Sequence, residues 1–310
     1  MIKRDKKILI AGGAGFIGSH LVKKLVNDGN NVTVIDNFLS GNLENLNGIK
    51  VKVIRHDIID LITLSGFDEI YHLASLASPV FYQRNPIETA LSNSIGTYNL
   101  LSEAKKHKSR ILFASTSEVY GNPLKHPQKE SYWGNVNPIG LRSCYDESKR
   151  LGETLMMDFH REYGVETRIA RIFNTYGPKM SIGDGRVIPN FIVQALKNEP
   201  MTIFGHGKQT RSFCYISDLI EGLVKLMNSN FSEPVNLGNP EEITILELAK
   251  KIKELTNSKS RIVFKGLPID DPERRCPDIS LAKQKLNWQP VVDLEEGLLK
   301  TIEYFKLLKQ

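Results

Sequence analysis

Near the start of the chain the apolar run Ile8-Leu9-Ile10 passes directly into Ala11-Gly12-Gly13-Ala14-Gly15-Phe16-Ile17-Gly18 and then into a helix-period segment. This order constrains the fold more than any other feature of the sequence. A glycine at 12 permits a tight turn, one at 15 lets backbone approach a pyrophosphate, and one at 18 lets helix pack closely on sheet. The helix that follows, with Phe16 and Ile17 in its first turn, presents free N–H groups and partial positive charge to phosphate. The second strand then ends at Asp36, where a carboxylate can hold both ribose hydroxyls. An acid at 36 repels a 2′-phosphate, and Asn37-Phe38 brings no arginine to offset it, so the expected cofactor is NAD and not NADP. Asp57, closing the third strand, is expected at the adenine edge, although an exposed strand-end acid would look the same. Ile58, Leu73 and Ala74 are expected to complete the cofactor wall. Glycines alone are weak evidence; strand, turn, helix, strand and acid in sequence are not.

The rhythm continues through the first half of the chain. Strands are predicted at Lys7–Ala11, Val32–Ile35, Val51–Ile54, Glu69–Leu73, Ile111–Ser115 and Thr167–Ile172, and helices at Phe16–Asp28, Thr89–Lys106 and Tyr145–Tyr163. Continuous apolar strands alternating with helices imply a parallel sheet covered on both faces. The expected class is α/β: a Rossmann-like, doubly wound parallel sheet with a smaller C-terminal substrate domain. The boundary is placed at 177/178, with 1–177 binding the cofactor, 178–310 binding substrate, and a segment near 213–240 returning to the first domain. After Gly177-Pro178 the loops lengthen, with turns at Gly183-Asp184-Gly185 and Gly205-His206-Gly207. Ile243–Leu255, entered from a capping Thr244, and Leu294–Leu308 read as amphipathic helices.

Bulk properties narrow the partners. A net charge of +6 is mild, and the lysine clusters at 3–7 and 105–108 read as solvated element ends, which argues against nucleic-acid binding. The 3 cysteines, Cys144, Cys214 and Cys276, have no C-x-x-C spacing, and the histidines are scattered singly; no disulfide framework and no metal are expected. With no stretch of membrane-spanning length and no signal peptide, the expected location is cytoplasmic.

The chemistry-bearing residues follow the Ile111–Ala114 run: Thr116-Ser117-Glu118, and later Tyr145-Asp146-Glu147-Ser148-Lys149. On a helix, Tyr145 and Lys149 share a face one turn apart. For a phenol to act as base near neutrality its pKa must fall by ~3 units, roughly 4 kcal/mol. A lysine ammonium ~4–5 Å away at an effective dielectric of ~20 contributes about 3–4 kcal/mol, with the cationic nicotinamide helping. Hydroxyl, phenol and ammonium are the parts for oxidising a secondary alcohol. A chance Y-x-x-x-K is common in a chain of this size, so the pair counts only together with the nucleotide fingerprint and the Thr116 strand end.

The chain resembles the extended short-chain dehydrogenase/reductases that act on nucleotide sugars. The matching stretches include GGAGFIGSHL (12–21), YHLASLASP (71–79), STSEVYG (115–121), SCYDESKR (143–150), RIFNTYGP (171–178), DGRVIPNF (184–191), QTRSFCYISDL (209–219) and VNLGNPEE (235–242). Two more, HPQKESYWGNVNPIG (126–140) and DDPERRCPDI (270–279), resemble the decarboxylating branch of that family specifically. Ala11, where threonine is usual, and Cys276, where related sequences often have lysine, are small departures.

The resemblance implies that Thr116, Tyr145 and Lys149 carry the oxidation and that Glu118 is a further acid in the sugar pocket. It implies that Arg275 meets a sugar carboxylate, and that Asn174 and Arg211 contact the nucleotide-sugar diphosphate. Phe204 would stack on uracil, Arg186 would touch the nucleotide, and Ser117 would face the sugar. Pro79 and Tyr82, on the loop after the fourth strand, would border it. Related dehydratases carry an Asp at the Ser117 position to protonate a leaving hydroxyl, an acid that Ser117 lacks. The implied activity is NAD-dependent conversion of UDP-glucuronate to UDP-xylose by oxidation at carbon 4, CO₂ loss and re-reduction, in a homodimer paired through 89–106 and the Tyr145–Lys149 helix. A UDP-glucuronate 4-epimerase, a 4,6-dehydratase, or a catalytically idle nucleotide-binding protein are the competing readings.

Overall fold

The computed structural model describes residues 5–64, 66–266 and 274–308. Strands β1 (Lys7–Ala11), β2 (Asn31–Asp36), β3 (Lys52–Arg55), β4 (Glu69–His72), β5 (Arg110–Thr116) and β6 (Thr167–Ile172) match the apolar runs picked from sequence to within two residues at each end. Period-2 alternation places successive residues on opposite faces. Ile8 and Ile10 enter one buried cluster, whereas Leu9 and Ala11 enter another on the far side. Both faces of the sheet are therefore dry, and the runs have no polar alternation.

Two helices, α1 (Phe16–Asn27) and α2 (Pro79–Arg84), follow β1 and β4; α3 (Pro86–His107) precedes β5, and α4 (Ser143–Tyr163) precedes β6. The sequence reading left Pro79 and Tyr82 on a loop, and the structure corrects this to the short helix α2. Proline at its first position already has the fixed φ and missing N–H that a helix start tolerates. The chain continues with β7 (Thr175–Tyr176), α5 (Val187–Lys197), β8 (Met201–Phe204), β9 (Thr210–Ser212), β10 (Cys214–Tyr215) and α6 (Ile216–Asn228). It ends with β11 (Pro234–Leu237), β12 (Glu242–Thr244), α7 (Ile245–Leu255), β13 (Ile262–Lys265), β14 (Arg274–Arg275), α8 (Ser280–Leu286) and α9 (Leu294–Leu307). A Thr244–Glu247 capping box starts α7, with the Thr244 hydroxyl accepting the Glu247 N–H at 3.1 Å.

The main sheet has 7 strands in the order β11-β6-β5-β4-β1-β2-β3, every pairing parallel. Strand order reverses between β1 and β4, which opens a crevice at their carboxyl ends, the place where open α/β sheets bind ligands. Gly12, Asp36, Leu73 and Thr116 all lie at such ends. A small sheet, β12-β9-β14, brings Arg275 into register with Arg211. Gly152 lets α4 lie against the sheet, because a Cβ there would come within 2.5 Å of the Phe113 ring. Close seating of α4 sets the height of Tyr145 and Lys149 over β5. Among the described residues no helix is long and apolar enough to cross a membrane.

Candidate active site

The crevice between β1 and β4 is lined by Gly12, Gly15, Asp36, Asn37, Asp57, Ile58, Leu73 and Ala74, together with Ser75 and Ser92. Gly12 has φ +81° and is pressed so close to β4 that a Cβ would sit 2.6 Å from the Ala74 nitrogen. At Gly18 a Cβ would collide with the Gly12 carbonyl, whereas at Gly15 it would meet protein only at 3.4 Å. The bare side of Gly15 thus faces the crevice. No side chain caps α1 and no acid occupies its first turn, so its N-terminal field points outward unopposed. Asp36 is buried, with its two oxygens accepting the Ala14 and Phe38 N–H groups at 2.9 Å each. Burial pushes its carboxyl up from the ordinary value against those two bonds. A carboxylate with its oxygens aimed by backbone, a bare glycine and an uncapped helix fit a dinucleotide. Asp57 accepts from the Asn37 amide at 2.8 Å, which ties the two crevice residues together. The short segment after Asp36 lacks an arginine, but the structure brings one across from β3, with the Arg55 guanidinium 5.8 Å from the Phe38 ring centre.

At the end of β5, Thr116 and Tyr145 are both buried, and the neighbouring Thr116 hydroxyl opposes the rise of the Tyr145 pKa. The Tyr145 ring stacks on Tyr82 at 5.2 Å between centres, nearly parallel. The fully buried Tyr82 hydroxyl has no partner. Lys149 lies on the same helix, one turn from Tyr145. Its ammonium donates to the Ala114 carbonyl at 2.7 Å and sits 5.8 Å from the Tyr145 ring centre. Burial therefore governs both groups: it lifts the Tyr145 phenol well above its usual range and lowers Lys149 to about 7. The help expected from Lys149 and the cationic nicotinamide would have to work against this burial, with the ammonium also engaged by the Ala114 carbonyl.

Glu118 sits in the short helical turn after Thr116, facing two guanidiniums. Arg275 forms one ion pair with it, and Arg142 the other at 2.5 Å. Burial alone would raise its pKa, but Arg275 and then Arg142 override burial and hold the carboxyl at about 2. Arg275 is itself buried, donates through Nη2 to the Gly121 carbonyl at 2.7 Å, and keeps its Nε–H without a partner. Sequence reasoning missed Arg142 and Asp146. Asp146 lies 3.9 Å from the Arg142 guanidinium, and burial, then the Glu118 charge, raise its carboxyl to about 7. The available signal was position: Arg142 stands three residues before Tyr145, on the same helix face.

The remaining sequence candidates divide. Ser117 is buried beside Glu118, and Arg186, bonded to Asp184, is close enough for its charge to oppose the rise of the Tyr145 pKa. Thr116, Ser117, Glu118, Tyr145, Tyr82, Arg186 and Arg275 therefore belong to one cluster. Arg211 stands beside Arg275 in register, its Nη1 donating to the Thr210 carbonyl at 2.9 Å. Asn174 is half-buried and its carbonyl accepts the Cys214 N–H at 2.9 Å. Phe204, at the end of β8, is 44% exposed and makes none of these contacts. Residues 270–273 of the DDPERR stretch lie outside the described residues.

The profile of the family described as GDP-mannose 4,6 dehydratase matches residues 9–301. UDP-glucuronic acid decarboxylase 1 of Arabidopsis thaliana is 56% identical over 308 residues, covering 98% of this chain and 71% of that protein. Among solved structures, UDP-glucose 4-epimerase of Thermotoga maritima with UDP-glucose superposes with a TM-score of 0.92 at 34% identity, covering 98% of this chain and 100% of that one. UDP-glucuronic acid 4-epimerase of Bacillus cereus, in complex with UDP-glucuronic acid and NAD, superposes with a TM-score of 0.88 at 30% identity, covering 97% and 99%.

Proposed function

The chain belongs to the family described as GDP-mannose 4,6 dehydratase and, within it, to the UDP-glucuronic acid decarboxylases, and we propose that it converts UDP-glucuronate to UDP-xylose and CO₂ with NAD recycled. The observation that carries this reading is the placement of Glu118, ion-paired with both Arg275 and Arg142. A carboxyl held at about 2 between Arg275 and Arg142 is a fixed anion. It does not protonate a leaving hydroxyl, and neither does Ser117, the position where the related dehydratases carry an Asp.

Tyr145, beside Thr116, takes the proton from the carbon 4 hydroxyl. NAD, when bound, supplies the hydride acceptor at carbon 4 and later the donor. Gly12 and Gly15 with Phe16 and Ile17 would hold its pyrophosphate, with Gly18 seating the helix closely, Asp36 would hold its ribose, and Asn37, Asp57, Ile58, Leu73 and Ala74 its adenine side. Lys149 steadies the reacting end from beneath β5, donating to Ala114. The ketone lies β to the carbon 6 carboxylate, so the C5–C6 bond can break with its electron pair flowing to the carbon 4 oxygen. The Tyr145 and Thr116 hydroxyls meet the enolate charge there. Arg275 meets the departing carboxylate, while the Glu118 anion disfavours its charged form and favours neutral CO₂. The proton that carbon 5 receives comes from solvent, directly or through a side chain that Glu118 or Arg275 positions.

Incubation with UDP-glucuronate and NAD tests this by mass. The product is expected to be lighter by one CO₂, with no net NADH. A product of unchanged mass would make the enzyme a 4-epimerase, and loss of one water a dehydratase.

Residues 1–177 with 213–240 are assigned to the cofactor and the rest of 178–310 to substrate, with Arg186, Phe204 and Arg211 for the nucleotide joined by Asn174 from the cofactor side of the boundary. The protein is assigned to the cytoplasm, with Cys144, Cys214 and Cys276 all unpaired. It is further assigned as a homodimer through α3 and α4, supported by Ile95, Tyr98 and Leu151, which stand 44–53% exposed on these helices. Leu151→Glu is expected to give monomer in sedimentation, where the unaltered protein sediments as a dimer.

A further inference from the structure

The geometry points to a divalent-metal site, of the borderline class to which Zn²⁺ belongs, formed by His126, Glu242 and Cys276. One ligand atom from each lies within 4.8 Å of the others. The three come from segments far apart in sequence, so no spacing motif announces them. Tetrahedral coordination with bonds of ~2.0–2.3 Å separates ligand atoms by roughly 3.3–3.7 Å, so side-chain rotation of about 1 Å closes the set. Imidazole, carboxylate and thiolate carry two negative charges in sum, which balances a divalent ion. The fourth position is open to water, since His126 and Glu242 are partly exposed.

The ligands are already oriented. Glu242 accepts the Thr210 hydroxyl at 2.6 Å through one oxygen and faces His126 Nε2 at 2.8 Å with the other. That outer-shell bond fixes which carboxylate oxygen is presented. Cys276 is buried, and its thiol has only weak acceptors, Pro240 O at 3.3 Å and Pro277 O at 3.9 Å. Metal binding would displace the thiol proton. The frame is rigid: Gln128, fully buried, accepts the Cys276 N–H at 2.9 Å through its side chain and donates its own N–H to the Cys276 carbonyl at 2.9 Å. Glu242 stands on β12, joined through β9 to β14, whose Arg275 immediately precedes Cys276. An ion here would tie the strand presenting Arg275 to the segment holding His126.

Titration of the metal-free full chain with Co²⁺, followed by Zn²⁺ competition, decides the matter. One equivalent of Co²⁺ is expected to give a thiolate-to-metal charge-transfer absorption that Zn²⁺ removes. Cys276→Ser should abolish that absorption, and Cys276→Ser and His126→Gln should each weaken Zn²⁺ binding in calorimetry by more than about tenfold, because even outer-shell changes cost that much. Glu242→Gln serves as a third variant if either fails to fold, and Cys144→Ser should keep the absorption. Absence of the band in the unaltered protein, its survival in Cys276→Ser, or its loss in Cys144→Ser would overturn the site. None of these readouts depends on turnover, so they stand apart from the decarboxylase reading.

Discussion

Tyr145→Phe is expected to lower kcat on UDP-glucuronate by about 10³-fold or more while the protein stays folded and still binds nucleotide. The change removes one oxygen, which takes the carbon 4 proton and later meets the enolate, so general-base and electrostatic contributions vanish together. The ring itself stays, and with it the stacking on Tyr82. Because burial raises the phenol above its usual range, the free enzyme holds Tyr145 protonated at neutral pH. The ionised fraction grows as pH rises, so kcat/KM should climb toward alkaline pH in the unaltered enzyme and lose that limb in Tyr145→Phe. Steady-state rates across pH, with thermal melts as the folding check, measure both effects. A variant that retains a tenth of the activity would remove Tyr145 from its role.

Arg275→Met is expected to reduce kcat/KM by about 10²–10³-fold, the range for truncating one partner of a buried, hydrogen-bonded charge pair. Two things are lost: the cation that meets the substrate carboxylate and the stronger of the two charges holding Glu118 down. Arg142 remains at 2.5 Å, so Glu118 is not orphaned and folding survives. The Glu118 pKa should rise from about 2 toward its ordinary value. A depressed folded-state pKa contributes stability that is fully present above the unfolded value and is lost as pH falls through the folded one. That contribution, lost in the unaltered protein only between about 4.5 and about 2, should be smaller at neutral pH in the variant and gone at a higher pH. Urea unfolding at neutral and acid pH reads the stability change, and a kcat/KM within threefold of the unaltered enzyme contradicts the assignment.

Much of this architecture was legible because its signals are local. The run from Ile8 through Gly18 encodes a strand, a turn that only glycine tolerates at 12, and a helix, all within twelve residues. Thr244 and Glu247 announce their capping box by spacing alone. What escaped depends on partners distant in sequence. β7, β9, β10 and β14 are two or three residues long and exist because a neighbouring strand satisfies them, not through any propensity. Arg142 reads as a solvated charge until the fold turns it onto Glu118. Lys149 was identified by its spacing from Tyr145, but no spacing reveals that the Ala114 carbonyl would take its ammonium. His126, Glu242 and Cys276 are lone residues in sequence and neighbours in space.

The borrowing and return of one hydride is tested most directly with UDP-glucuronate carrying deuterium at carbon 4. In ordinary water the UDP-pentose should retain that deuterium at carbon 4, and unlabelled substrate run in D₂O should gain a single deuterium, at carbon 5. Washout of the carbon 4 label, or a pentose formed in D₂O without deuterium at carbon 5, would contradict oxidation, CO₂ loss and re-reduction in one closed site.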